Sequence, residues 1–236
     1  MAAGRRKGSV SEVPAEPAPP AANGTGLMDI LKALRQRIAT RQIAPGVKLQ
    51  EQALAEEFAV PRARIREVLI ALEQRGLIER RPNKSAVVKR LELTQVNELY
   101  DVRESLEGLC FRLATQNSKP GDWQDLLETF RGPMSAYVEA GDVEKYIGQV
   151  GRMRERAVAA AANPILTDML DQIYDKTQAI IVRTTLLPGR LEVGCKQLIA
   201  VLEAMDRGDP EAAERLRKEN IRSQREYLVR YQKFVL

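Results

Sequence analysis

The sequence predicts a mainly α protein: an N-terminal winged helix-turn-helix with a small β-wing, followed by a C-terminal antiparallel all-α bundle. Three observations predict it. Two short amphipathic helices follow one another almost without a gap, within EQALAEEFAV from Glu51 and PRARIREVLIALEQRG to Gly76. The alternating segments Leu77–Arg81 and Ala86–Arg90 flank the turn sequence Pro82-Asn83-Lys84-Ser85, as the two strands of a wing would. Beyond Leu91 no further strand pattern occurs, and the apolar period is helical. A length of 236 residues suits two small domains. The expected division is a disordered tail over residues 1–26, the winged domain over 27–91 and the helical domain over 92–236.

The tail is rich in Ala, Pro, Gly and Ser without periodicity. Its cluster Arg5-Arg6-Lys7 is a candidate flexible arm for DNA phosphates, although a solvated tail is the ordinary reading; it lacks the apolar core of a secretion signal. From Leu27 a helical face is marked by Ile30, Leu31, Leu34 and Ile38, and Pro45-Gly46 ends it. Leu54, Ala55 and Phe58 share one face of the next helix. The helix after it carries Pro61 at its start, where a first turn tolerates proline, and stops at Gly76. Six bundle helices are expected, roughly Thr94–Gln116, Asp122–Ala140, Asp142–Ala162, Pro164–Leu186, Arg190–Arg207 and Pro210–Phe234. Gly132-Pro133 is expected to kink or split the second.

Composition narrows function. Histidine is absent, which removes the commonest general base and metal ligand and excludes Ser-His-Asp and Cys-His chemistry. No Gly-rich phosphate loop or other reaction motif is present, so no enzyme and no cofactor is expected. No apolar run reaches the roughly 18 residues of a membrane span, and a cytoplasmic location is expected. Cys110 and Cys195 lie among apolar helical residues and read as buried thiols rather than a disulfide. Between Leu27 and Arg90, 14 Lys and Arg face 7 Asp and Glu, whereas the whole chain carries only +5. A basic winged module joined to a slightly acidic remainder argues for duplex DNA binding coupled to a different task.

The segment PGVKLQEQALAEEFAVPRARIREVLIALEQRGLIERRPNKSAVV resembles the DNA-binding domain of the GntR family of bacterial transcription regulators. VRESLEGLCFRLA, AVAAAANPIL and LIAVLEAMDRGDPEAAERLRKENI resemble the family's FCD class, the C-terminal domain shared with the fatty-acid regulator. Six bundle helices look more like the vanillate-regulator subgroup than the seven-helix fatty-acid regulator. The resemblance implies that Arg62 and Arg66, four residues apart on one face of the second helix, contact bases. Arg64 stands where the family has Pro and is expected on phosphate or in solvent; Pro61 replaces the usual Ser or Thr. Gln52 begins the preceding helix at another contact position. Asn83, Lys84 and Ser85 form the wing tip, with Lys84 the natural groove or phosphate contact.

Many FCD proteins hold a metal with one Asp and three His. The resemblance places those four positions at Val150, Arg154, Leu198 and Asn220, so no metal site is expected. Arg103 and Arg154 instead fall inside the apolar stripes of their helices, and a buried guanidinium needs an anionic partner. That partner is either internal, with Glu107 four residues after Arg103 and Glu155 beside Arg154, or the carboxylate of a ligand. Asn220 is the candidate polar orienter and Tyr100 a further candidate, although an aromatic there more often packs. The expected function is a homodimeric regulator, a repressor rather than an activator, that reads a pseudo-palindromic operator and answers to a small organic acid. The alternative is a DNA-binding dimer whose bundle serves only dimerisation or a protein partner.

Overall fold

The computed structural model describes residues 26–80 and 86–235, ordered α1 (Leu27–Ala39), β1 (Lys48–Leu49), α2 (Glu51–Glu57), α3 (Arg62–Gln74), β2 (Ile78–Glu79), β3 (Ala86–Val88), α4 (Leu93–Gln116), α5 (Gln124–Arg131), α6 (Pro133–Ala140), α7 (Val143–Ala161), α8 (Pro164–Thr185), α9 (Arg190–Asp206), α10 (Pro210–Arg230) and α11 (Gln232–Val235). The mainly α reading, with a small wing and a helical C-terminal half, holds. Arg5-Arg6-Lys7 and the wing-tip residues Asn83, Lys84 and Ser85 lie outside the described residues.

The winged unit closes on its own core. Ile30, Leu31, Leu34 and Ile38 of α1 meet Leu54, Ala55 and Phe58 at α2 and Ile65, Val68, Leu69 and Leu72 of α3, all buried. These are the stripes the periodicity marks, because positions three and four apart share a helix face. Gly76 adopts φ +71, the left-handed turn that stops α3, and Leu77 N–H donates back to Leu72 O at 3.0 Å. The chain then enters β2. The sheet has three strands in the order β1-β3-β2, all antiparallel, rather than the two expected. Lys48 pairs with Val87 and Leu49 with Ala86, so the chain after Pro45-Gly46 returns to the wing as a strand.

Of the six bundle helices expected, four lie within a residue or so of the expected spans as α4, α7, α8 and α9. The second is two helices, α5 and α6. Pro133 has no N–H to continue the ladder, and Gly132 turns with φ −103 and ψ −96 between them. The last ends at Arg230, with Tyr231 capping α10 ahead of the short α11. One core runs through the bundle around Phe111, Trp123, Phe130, Met153 and Leu202. A smaller cluster of Val96, Tyr100, Ile180, Ile221 and Leu228 joins α4, α8 and α10. Both cysteines are buried free thiols, and burial pushes Cys110 up to about 12, so it is inert at neutral pH.

A clasp of four charges joins the winged unit to the bundle. Arg35 of α1 donates from Nε to Asp175 at 2.6 Å and from Nη2 to Asp171 at 2.7 Å. Arg75, at the end of α3, donates from Nη1 to both carboxylates at 2.8 Å. Both acids stand one turn apart on α8, so they share a face. The Asp175 side chain is only 6% exposed, which shields its bonds from solvent screening. Replacing both acids, Asp171→Ala with Asp175→Ala, is expected to leave both cores folded while splitting thermal unfolding into two calorimetric transitions. A single unshifted transition would show that the clasp does not couple the units.

Candidate functional site

Two sites emerge, one on the surface of α3 and one inside the bundle. At the start of α3 the buried residues Ile65, Val68 and Leu69 fix the inner face, and Arg62, Arg64 and Arg66 are left exposed. Glu51, the first residue of α2, accepts from Arg66 Nε at 2.8 Å and from Arg62 Nη2 at 3.4 Å. The two guanidiniums are thereby held side by side, one helical turn apart. The bond from Arg66, with a smaller share from Arg62, holds the Glu51 carboxyl below its ordinary value. Arg64 makes no ion pair or hydrogen bond among the described residues and extends to solvent. Gln52 is also exposed and donates to Glu56 at 2.5 Å. Arg80, which follows β2, reaches back to the Arg66 carbonyl at 3.2 Å and adds a further cation to this face.

The second site is a cavity of about 70 Å³ between α4, α7, α8, α9 and α10. Val150, Arg154, Leu198 and Asn220, the four positions at which the resemblance would place metal ligands, all line it. Only Asn220 of these carries an oxygen donor, and that atom accepts from Arg217 Nη1 at 2.8 Å. Four arginines, Arg103, Arg154, Arg190 and Arg217, also line the space. A divalent cation would meet repulsion and no carboxylate, imidazole or thiolate in the lining, so these residues do not fit a metal.

Glu107 organises the polar interior. Fully buried on α4, it accepts from Arg103 Nε at 2.6 Å and from Arg217 Nε at 2.8 Å, with Arg217 Nη2 adding a second contact. Arg103 Nη1 donates to Gln224 at 2.8 Å, and Gln224 also accepts from the Tyr100 hydroxyl at 3.3 Å. Asn220 donates to Gln197 at 2.9 Å. Tyr100 lies outside the lining and backs Arg103, whose guanidinium sits 5.2 Å from its ring centroid. Arg103 therefore takes the internal acid expected for it. Arg154 does not: Glu155 is exposed and unbonded to it, and Arg154 stacks on Tyr174 at 3.9 Å. The Tyr174 hydroxyl is buried without a hydrogen-bond partner among the described residues.

Sequence reasoning did not single out Arg190 or Arg217. Arg190, only 5% exposed, has no carboxylate partner; it donates to Gln197 at 3.3 Å and stands 5.6 Å from the Tyr227 ring. Burial, together with repulsion from Arg217, pulls its pKa down. Its position beside Tyr146 depends on Gly194, where a Cβ would come within 2.6 Å of the Tyr146 hydroxyl. The signal for both arginines was available: Arg217 falls in the stripe of Ala213, Ile221 and Leu228, and Arg190 precedes Gly194 and Leu198 by four and eight residues.

Burial alone would raise the Glu107 carboxyl, but the charges of Arg217 and Arg103 outweigh it and hold the group at about 2 against an ordinary 4.5. A carboxylate lowered on folding stabilises the protein fully above its ordinary pKa and loses that contribution as pH falls toward the folded value. The difference is on the order of 3 kcal/mol. Melting temperature should therefore fall between about pH 4.5 and 2. Glu107→Gln, which leaves two buried guanidiniums unpaired, should cost about 3–5 kcal/mol at neutral pH and flatten that acid limb. Equal melting curves for the two proteins from pH 7 to 2.5 would refute the assignment.

Comparison with known proteins agrees with this architecture. The profile described as "Bacterial regulatory proteins, gntR family" matches residues 28–88, and the FCD domain profile matches residues 98–223. The Escherichia coli (strain K12) HTH-type transcriptional regulator McbR is 28% identical over 142 residues, 60% of this chain and 63% of that protein. The E. coli (strain K12) repressor RspR is 34% identical over 85 residues, 36% of this chain and 37% of its own length. The matched stretches thus span from about a third to under two thirds of these relatives. The solved structure of E. coli McbR/YncC superposes with a TM-score of 0.73 at 21% identity, covering 88% of this chain and 98% of that one. The shared fold extends through both the winged unit and the bundle. The chain belongs to the gntR family of bacterial regulatory proteins, with an FCD domain in its C-terminal half.

Proposed function

We propose that the protein is a homodimeric transcription regulator of the bacterial cytoplasm, a repressor, whose grip on a pseudo-palindromic operator changes when a small organic acid occupies the bundle cavity. One observation carries the DNA-reading half: Arg62 and Arg66 stand side by side and exposed at the N-terminal end of α3, where recognition helices meet base edges. Each guanidinium is free to fork onto guanine O6 and N7 once Glu51 releases it. Arg64 and the wing tip supply phosphate contacts. The winged domain is read as residues 27–91, with the remainder answering to the ligand.

The helix α8 supports the coupled half. Asp171 and Asp175 near its middle hold Arg35 and Arg75, while Gln178, Ile181 and Thr185 further along line the cavity. An acid that binds better to one placement of α8 than another would bias the winged units to the same degree, and no more. The internally satisfied Arg103–Glu107 pair favours the alternative of a purely structural bundle, but Arg190 and Arg154 have no such partner among the described residues.

Binding to a fluorescent duplex from the protein's own upstream region, measured across salt, tests the reading. Arg62→Ala and Arg66→Ala should each weaken it about ten- to a hundredfold and relax base preference, whereas Arg64→Ala should cost less and act uniformly across sequences. Binding that is insensitive to salt, or to both arginines, would refute it.

A further inference from the structure

We propose that the bundle cavity is built for a compact dianion, a phosphate group or two adjacent carboxylates, gripped between Arg190 and Arg154. The inference rests on the effector reading above and names its chemistry. Four arginines line the cavity and no acid does; Glu107 behind them offsets one charge and leaves a surplus of three. The carboxylate is fully occupied, because one oxygen accepts from Arg103 and the other from Arg217. Arg103 and Arg217 are also tied to Gln224 and Asn220, so these two are fixed parts of the wall.

Arg190 and Arg154 are different. Among the described residues Arg190 donates only to a neutral amide at 3.3 Å and otherwise stands among tyrosines, although it is almost wholly buried. Arg154, half-buried rather than buried as expected, lies over the Tyr174 ring and makes no ion pair or hydrogen bond among the described residues. An uncompensated buried guanidinium weakens a fold, so Arg190, kept in that state, is matched to an anion that arrives from outside, with the half-buried Arg154 as the second grip on it. Charge sets the class: a monoanion leaves two of the three surplus charges unmatched, and a dianion leaves one. Size narrows it further. A cavity of roughly 150 Å³ holds a benzene ring, and the space here is about 70 Å³. Aromatic acids are thus excluded, and the enclosed space takes the compact charged head of a ligand rather than a ring. Arg154 also lines two outer clefts of about 730 and 460 Å³, whose walls include the acids Glu155 and Asp171.

The test is melting and calorimetric titration of the full chain with inorganic phosphate, oxalate, acetate and benzoate at constant ionic strength. Phosphate or oxalate should raise the melting temperature, and Arg190→Gln and Arg154→Gln should each weaken that binding about tenfold or more. Binding of phosphate alone identifies a phosphoryl ligand, and binding of oxalate alone a dicarboxylate; either supports the proposal. Without added anion, Arg190→Gln should melt at or above the wild type, since it removes an unpaired buried cation, whereas loss of a merely structural arginine would lower the melting point. If acetate or benzoate binds through Arg190 as tightly as the dianions, the dianion assignment is overturned and the effector cavity stands. If none of the four binds, the dianion assignment falls, and the effector reading falls with it when both variants also melt below the wild type.

Discussion

Glu107 is a lone carboxylate at the centre of a helical bundle, and the arrangement of charge around it follows from its two oxygens. A buried carboxylate is tolerable only when its lone pairs are taken up, and here Arg103 takes one oxygen and Arg217 the other. The first arginine shares α4 with Glu107 and the second comes from α10, so the same acid that neutralises them pins the two helices together. Once both oxygens are used, no acid among the described residues pairs with Arg190 or Arg154. The division between fixed and unsatisfied arginines is therefore a consequence of stoichiometry at one residue. The neutral amides Gln224, Gln197 and Asn220 complete the network and orient the guanidiniums without adding charge.

That interior reaches the surface through α8. The helix is long enough to line the cavity with Gln178, Ile181 and Thr185 and still present Asp171 and Asp175 to the winged unit. Tyr174 lies between these two regions, under Arg154, and its buried hydroxyl lacks a partner among the described residues. Reorientation of Arg154 toward a ligand would change what Tyr174 packs against, one residue from Asp175. A rigid helix transmits such a change as a displacement of its whole length, because packed interfaces shift between discrete arrangements rather than deform smoothly. The short distance along α8 would make the proposed coupling physically direct.

Much of this was legible in the sequence where residues repeat with a period. The stripes Ile30-Leu34-Ile38 and Ile65-Leu69-Leu72 are strong, and Gly76, Gly132-Pro133 and Asn163-Pro164 stop or break helices for reasons local to the backbone. β1 was not legible, since a strand of two residues has no alternation and exists only because β3 accepts it. Arg103 and Arg154 stood out because Leu, Cys, Val and Met surround them at helical spacing. Arg190 did not, because the position four residues on is Gly194, which packs without adding hydrophobicity, and its burial is imposed by Tyr146 and Tyr227 from other helices. Arg217 was passed over although Ala213, Ile221 and Leu228 mark its stripe, because Asn220 and Gln224 also face inward and leave the buried side of α10 half polar.

The cavity is lined by the four positions at which the resemblance expects a metal's ligands, and a lining of arginines differs from a metal site in its physics as well as in its residue types. A metal ion supplies positive charge that leaves when the ion leaves, and its ligands can then be satisfied by protons or water. Arginines supply the charge permanently, since guanidinium stays protonated throughout the physiological range. The positive field here is thus a property of the folded chain, set by four arginines against one glutamate, and its stability cost is present whenever the cavity is empty of anions. Such a site gains stability from its ligand in proportion to the charge that the ligand brings. On the proposed reading, charge number would select the ligand before shape, and the small volume would then select by size.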